Sequence, residues 1–160
     1  KAAATIVRRV EAAIGDARLH ADRLNRVDDA RLRACGVSAA KLRALRDLSE
    51  RAEAGEVPSA RALAYMDSEA IVDGLSAVRG IGRWTVQMLL IFRLGRPDVL
   101  PLDDLGIRRG AQWLDALEVA PDARSLAARA EAWAPWRSLA SLYLWRIADG
   151  ALQTDAARAD

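Results

Sequence analysis

The sequence predicts an all-α fold, a compact multi-helix domain of eight to ten short helices. Three observations carry this. Apolar residues recur at helical spacing through most of the chain. Asp, Ser and Gly punctuate these segments where helix caps belong. No run of β-branched residues alternates between turn signals, so no strand is expected.

The elements follow in order. Residues Lys1–Ile14 are Ala-rich, with Ile6 and Val10 at i, i+4 and Gly15 as a stop. Leu19–Val27 is polar and mixed, a connection with a short helical turn. Asp28–Cys35 begins with capping chemistry and ends at Gly36. Ser38 caps a longer helix carrying Leu42, Leu45 and Leu48, which runs to about Ala54 before Gly55. Pro58 suits a first turn, giving a short helix over Ser59–Met66. Asp67 caps Ser68–Leu75, whose inner face is Ile71, Val72 and Leu75. After Arg79-Gly80-Ile81-Gly82 comes the strongly apolar helix Arg83–Leu94, and Gly95–Pro101 is a loop. Asp103–Leu117, Asp122–Trp133 and Pro135–Asp149 read as helices, and 150–160 as a frayed tail.

At 160 residues the chain has one domain's length, enough to bury roughly two-thirds of its unfolded surface. Apolar residues make up 52% and charged residues 29%, which excludes wholesale disorder and fibrous repeats. Net charge is only +2, from 24 basic and 22 acidic residues. Residues 79–110 are more basic, with six Arg against three Asp, which favours a phosphate partner. A single cysteine, Cys35, excludes an intrachain disulfide, an all-cysteine zinc site and a cysteine-ligated iron–sulfur cluster. No apolar run approaches the ~20 residues that span a bilayer. A reduced cytoplasmic compartment is expected, with no membrane partner. His20 reads as a surface residue and Cys35 as a small buried filler.

The informative stretch is Leu75–Gly110. Two glycines flanking Ile81 allow a tight interhelical turn, and the first N–H groups of the next helix lack intrahelical partners. Such a terminus suits a phosphate oxygen, with Arg83 and Thr85 adding a charged and a hydroxyl hydrogen bond. Gly80, Gly82, Arg83 and Thr85 are thus candidate DNA-backbone contacts of a helix-hairpin-helix. A plain αα-hairpin with a glycine cap fits the glycines equally well. Further on, Asp103 and Asp104 open a helix after Pro101. N-capping accounts for one carboxylate; the other is available to face a cleft, held ionised by the helix terminus.

Together these residues resemble the helix-hairpin-helix superfamily of base-excision DNA glycosylases. There a hairpin of the form LxGIGxxTA precedes, by about twenty residues, an aspartate at a helix start; here Trp84 and Asp104 are twenty positions apart. The 3-methyladenine DNA glycosylase II branch is the nearest match. Three stretches carry it in order: Gly80-Ile81-Gly82-Arg83-Trp84-Thr85-Val86, then Arg96 to Pro101 with Asp104-Leu105-Gly106-Ile107-Arg108-Arg109-Gly110, then Pro135-Trp136-Arg137-Ser138-Leu139-Ala140 through Leu144-Trp145-Arg146. The likeness covers nearly all of residues 1–150.

The resemblance implies a monofunctional enzyme excising alkylated purines from double-stranded DNA by base flipping and hydrolysis of the N-glycosidic bond. Asp104 would be the catalytic carboxylate, with Asp103 flanking or capping. Trp84, Met88 and Trp145 would line the base pocket, while Trp113, Trp133 and Trp136 stay with core or rim packing. Trp84 stands where the lyase branches carry a lysine, so no Schiff base can form. No cofactor is required. The resemblance does imply a structural sodium or potassium ion at the hairpin, held by the main-chain carbonyls of Ser76, Val78 and Ile81. It also implies a monomer, nucleoid-associated if bacterial, and a further helix with a QQxS stretch before the KAA segment. The chain begins at Lys1-Ala2-Ala3, just past that point, so the expected domain, residues 1–160, lacks that helix and with it the wedge residue. The rival readings are a non-catalytic hairpin module that grips duplex DNA, a glycosylase for deaminated or mismatched bases, and a helical interaction protein.

Overall fold

A computed structural model describes the backbone of residues 2–16 and 19–159, and the side chains of 3–16 and 19–150. The described residues hold ten α-helices and no strand. In order they are α1 (Ala2–Ile14), α2 (Ala21–Asn25), α3 (Asp29–Ala34), α4 (Ala39–Glu53), α5 (Ala60–Tyr65), α6 (Ser68–Ser76), α7 (Arg83–Phe92), α8 (Leu105–Leu114), α9 (Ala123–Arg129) and α10 (Arg137–Ala159). A 3-10 turn over Ala130–Trp133 follows α9. No helix of the described residues is long and apolar enough to cross a membrane.

The capping residues read from the sequence, Asp28, Ser38 and Asp67, do cap: Asp28 accepts from the Arg31 N–H at 2.8 Å, Ser38 from Lys41 and Asp67 from Glu69. Ser59 and Asp122, expected only as helix starts, are caps too, accepting from Ala62 and Ser125, so Pro58 precedes the cap of α5 instead of sitting in its first turn. Each serine cap is worth about 1 kcal/mol to its helix. Gly15, Gly36 and Gly55 adopt φ of +72°, +97° and +77°, the left-handed stops expected of them.

The chain divides into two compact units, residues 1–83 and 84–160. In the first, α1, α2, α3 and α4 enclose a core of Val10, Leu24, Leu32, Cys35, Val37 and Leu42. Cys35 is buried there, its thiol against the Arg9 carbonyl, and His20 is exposed. Ile71, Val72 and Leu75 form the buried face of α6, as their spacing implied. In the second, α8, α9 and α10 meet on Ile107, Ala111, Leu126 and Leu144, with Trp133 and Trp145 packed against them. Trp113 and Trp136 sit at the surface.

Three helix ends differ from expectation. α7 stops at Phe92 because the N–H groups of Arg93 and Leu94 both turn back to the Leu89 carbonyl, and Gly95 follows at φ +62°. α8 stops at Leu114: Ala116 takes φ +49° and the Leu117 N–H folds back to the Gln112 carbonyl, a C-terminal motif normally signalled by glycine. α10 carries helical backbone to Ala159, well past Asp149. The tail expectation over 150–160 concerns residues whose side chains, from 151 on, lie outside those described.

Candidate active site

α8 approaches α10 closely because it presents glycine to it. A Cβ at Gly110 would fall 2.1 Å from the Leu144 carbonyl oxygen, so nothing larger fits between the two backbones. One turn earlier, a Cβ at Gly106 would fall 2.9 Å from the Trp145 ring and 3.1 Å from an Asp104 carboxylate oxygen. The bare main chain of Gly106 therefore seats the Trp145 indole beside the start of α8.

The loop leading to Asp104 is hung on α10. Ser138 Oγ donates to the Arg96 carbonyl at 2.6 Å and accepts from the Val99 N–H at 2.9 Å. The Arg137 guanidinium grips both Asp98 carboxylate oxygens, at 2.5 and 2.6 Å. That pairing holds the Asp98 carboxyl below its ordinary value. Because Trp145 lies two turns along the same helix, loop and ring share one frame.

Asp104 is the N-cap of α8. Of the two roles expected for Asp103, flanking or capping, the capping one falls to Asp104 instead. Asp104 has the extended backbone of a cap (φ −72°, ψ 120°), its carbonyl accepts the Arg108 N–H, and its carboxylate accepts the Ile107 N–H at 2.9 Å. Asp103, one residue earlier, is exposed. The same Asp104 carboxylate meets both indoles: Trp145 Nε1 donates to Oδ1 at 2.9 Å and Trp84 Nε1 to Oδ2 at 2.7 Å. Partial burial alone would raise its pKa. The Ile107 N–H, the two indoles and the Gly106 N–H outweigh that and lower it from 3.8. Asp104 is therefore an ionised acceptor at neutral pH, fixed on both oxygens.

Trp84, Met88 and Phe92 fall at i, i+4 and i+8 on α7, one strip of that helix. Met88 is half-buried, while Trp84 is 50% and Phe92 59% exposed. Phe92 stacks on Trp145, with ring centroids 5.8 Å apart and planes 22° from parallel. Phe92 is the site residue that the motif reading passes over. Its signal was present as the next residue of the strip, two turns after Trp84.

At the hairpin, Gly80 takes φ +76° and the Ile81 N–H closes the turn on the Val78 carbonyl at 3.1 Å. Gly82, Arg83 and Thr85 are exposed at the start of α7. Arg83 is already engaged: its Nη2 lies 2.7 Å from both carboxylate oxygens of Glu69. The Ser76 hydroxyl, in the last turn of α6, is buried without a hydrogen-bond partner. Among the described residues no group of three or more His, Cys, Asp or Glu side chains could hold a metal ion.

Known proteins resemble the chain in both sequence and fold. Residues 1–135 match the family model of the HhH-GPD superfamily base excision DNA repair protein. DNA-3-methyladenine glycosylase 1 of Schizosaccharomyces pombe is 41% identical over 72% of this chain and 50% of its own length. The crystal structure of a DNA-3-methyladenine glycosidase from Bacillus halodurans superposes with a TM-score of 0.83 at 38% identity, over 92% of this chain and 67% of that one. The S. pombe 3-methyladenine DNA glycosylase in complex with abasic DNA gives 0.70 at 32% identity, over 88% and 79%. The chain spans about half the length of these curated relatives.

Proposed function

Because the chain belongs to the HhH-GPD superfamily of base excision DNA repair proteins, we propose that it carries the catalytic centre of a monofunctional alkylpurine DNA glycosylase of the 3-methyladenine II type, acting on duplex DNA as a monomer. The observation that carries this reading is the ionised Asp104 carboxylate held between two indole N–H groups and a helix N-terminus.

The chemistry follows from that group. A purine alkylated at a ring nitrogen is cationic and leaves without strong acid assistance. The C1′–N bond breaks with its electron pair going to the base, and positive charge develops on the sugar. A lowered pKa makes Asp104 unfit to donate a proton and only weakly basic, so its main contribution is the fixed negative charge beside that cation. Water then adds at C1′ and loses its proton to solvent. The nucleotide must leave the stack to reach Asp104. The electron-rich rings of Trp84, Phe92 and Trp145 suit a cationic base, a contact worth roughly 0.5–2 kcal/mol each.

Lyase chemistry needs an amine. Lys1 and Lys41 are the chain's only lysines, and the residues bonded to Asp104 are tryptophans. The α7 N-terminus, entered through Gly82, would take a backbone phosphate. The hairpin fits a monovalent cation: the carbonyls of Ser76, Val78 and Ile81 are hard oxygen donors, and the partnerless Ser76 hydroxyl marks unmet polar demand in the same turn. Such an ion would supply positive charge where a phosphate docks.

The test is release of 3-methyladenine or 7-methylguanine from alkylated duplex DNA by wild type and Asp104→Asn. Excision by wild type, lost in the variant with DNA affinity retained, is expected. Steeply salt-dependent binding with no release by either protein would instead make this a DNA-gripping module.

A further inference from the structure

We propose that Asp47 on α4 is a positioning residue for the hairpin, its carboxylate holding the Arg79 main-chain N–H and so setting the turn from which α7 opens toward DNA. The inference rests on the glycosylase reading for its consequence, and on geometry alone for its mechanism.

Asp47 Oδ2 accepts the Arg79 N–H at 2.7 Å, across 32 residues of sequence. That N–H belongs to the Val78–Arg79 peptide unit, whose carbonyl accepts the Ile81 N–H at 3.1 Å. One peptide plane is thus pinned at both ends, by a carboxylate outside the turn and by the turn itself. The next residue, Gly80, sits at φ +76°, and a Cβ there would lie 3.2 Å from the Ala44 Cβ. Ala44 and Asp47 are i, i+3 on α4, so one helix face touches the turn at two consecutive residues.

A carboxylate suits the task better than a neutral acceptor. Charge-assisted hydrogen bonds are roughly twice as strong as neutral ones, and the Arg79 N–H is the main reason that the Asp47 pKa lies below 3.8. Its charge is also balanced. Arg51 Nε lies 3.2 Å from the same oxygen, which limits repulsion of an approaching phosphate. No part of the α7 strip or of Asp104 is involved, so Asp47 acts on DNA grip and not on bond cleavage.

The experiment uses the whole chain as Asp47→Ala and Asp47→Asn, with three readouts. Amide hydrogen exchange without DNA reports the Arg79 N–H directly. In the alanine variant it should quicken about tenfold or more while Leu32 and Leu42 keep their protection. Affinity for undamaged duplex at fixed salt should weaken about fivefold or more, as expected for loss of a charge-assisted bond. Single-turnover release of 7-methylguanine at saturating protein should stay within about twofold, a split between grip and chemistry. The asparagine keeps an acceptor oxygen and should restore most of the affinity and protection.

An unchanged Arg79 exchange rate in the alanine variant overturns the proposal. So does wild-type DNA affinity in that variant, or an asparagine variant with an intact core and no rescue. If the alanine variant fails to fold, the asparagine variant decides by its Arg79 amide: near wild-type protection supports the proposal, and free exchange with Leu32 protected overturns it. A wild-type protein that neither binds nor cleaves DNA would defeat the glycosylase reading, while the exchange result still judges Asp47.

Discussion

Two helix N-termini in this molecule solve one electrostatic problem in opposite ways. α8 carries its own anion: Asp104 fills the positive end of the helix and leaves the Ile107 N–H satisfied. α7 begins after Gly82, which has no side chain to cap with, so its positive end faces outward. On the proposed function, the first holds a charge for use in chemistry and the second is left for a charge supplied by the nucleic acid.

Swapping these roles gives the sharpest tests. Asp104→Asn removes the built-in anion and should cut excision by about 10²–10³, the cost of losing one preorganised electrostatic group, as read by base release under single-turnover conditions. Gly82→Asp gives α7 a cap of its own. A side chain has room there, since no heavy atom lies within 4 Å of a Cβ at this position and its φ is not left-handed. Duplex affinity should fall about tenfold at low salt and less at high salt, with thermal stability unchanged or raised. Salt-dependent anisotropy and a melting curve together read this.

The pH profile sharpens the α8 side. A depressed folded-state pKa means that Asp104 supports stability above its unfolded value of about 3.9 and loses that contribution as pH falls through the folded one. Excision should accordingly hold down to the ordinary carboxylate range and fall only below it. A loss of rate near pH 6 would place the titrating group elsewhere. The smallest effect is expected at Glu69, which shares Arg83 with any phosphate. Glu69→Gln should tighten duplex binding only a few-fold, since exposed ion pairs are worth about 0–1 kcal/mol.

Much of this was readable from the chain because caps and glycine stops are local signals. Asp28, Ser38 and Asp67, all read as caps, each answer to a donor two or three residues away, and Ser59 and Asp122 would have been legible by the same rule. The end of α8 was not readable, since Ala116 takes a left-handed conformation without being glycine. Choosing between adjacent carboxylates was equally beyond local pattern. Which one caps depends on the loop hung from Ser138 and Arg137, nearly forty residues downstream. The motif reading also expected the catalytic and capping roles to fall on different aspartates, whereas one carboxylate with several lone pairs accepts both kinds of bond. Phe92 and Asp47 are the other long-range cases: neither belongs to a motif, and each acquires its partner only in three dimensions.

The glycine at 106 has a consequence for how such a pocket could diversify. On its Gly106 side Trp145 leans on naked backbone, so one extra methyl group there would push it away. Adaptation to bulkier or smaller leaving bases is then left to the α7 strip, through Met88 and through Phe92, which stacks on the ring. A library randomised at those two positions should yield altered lesion preference, while one built at 106 and 110 should yield mostly inactive protein.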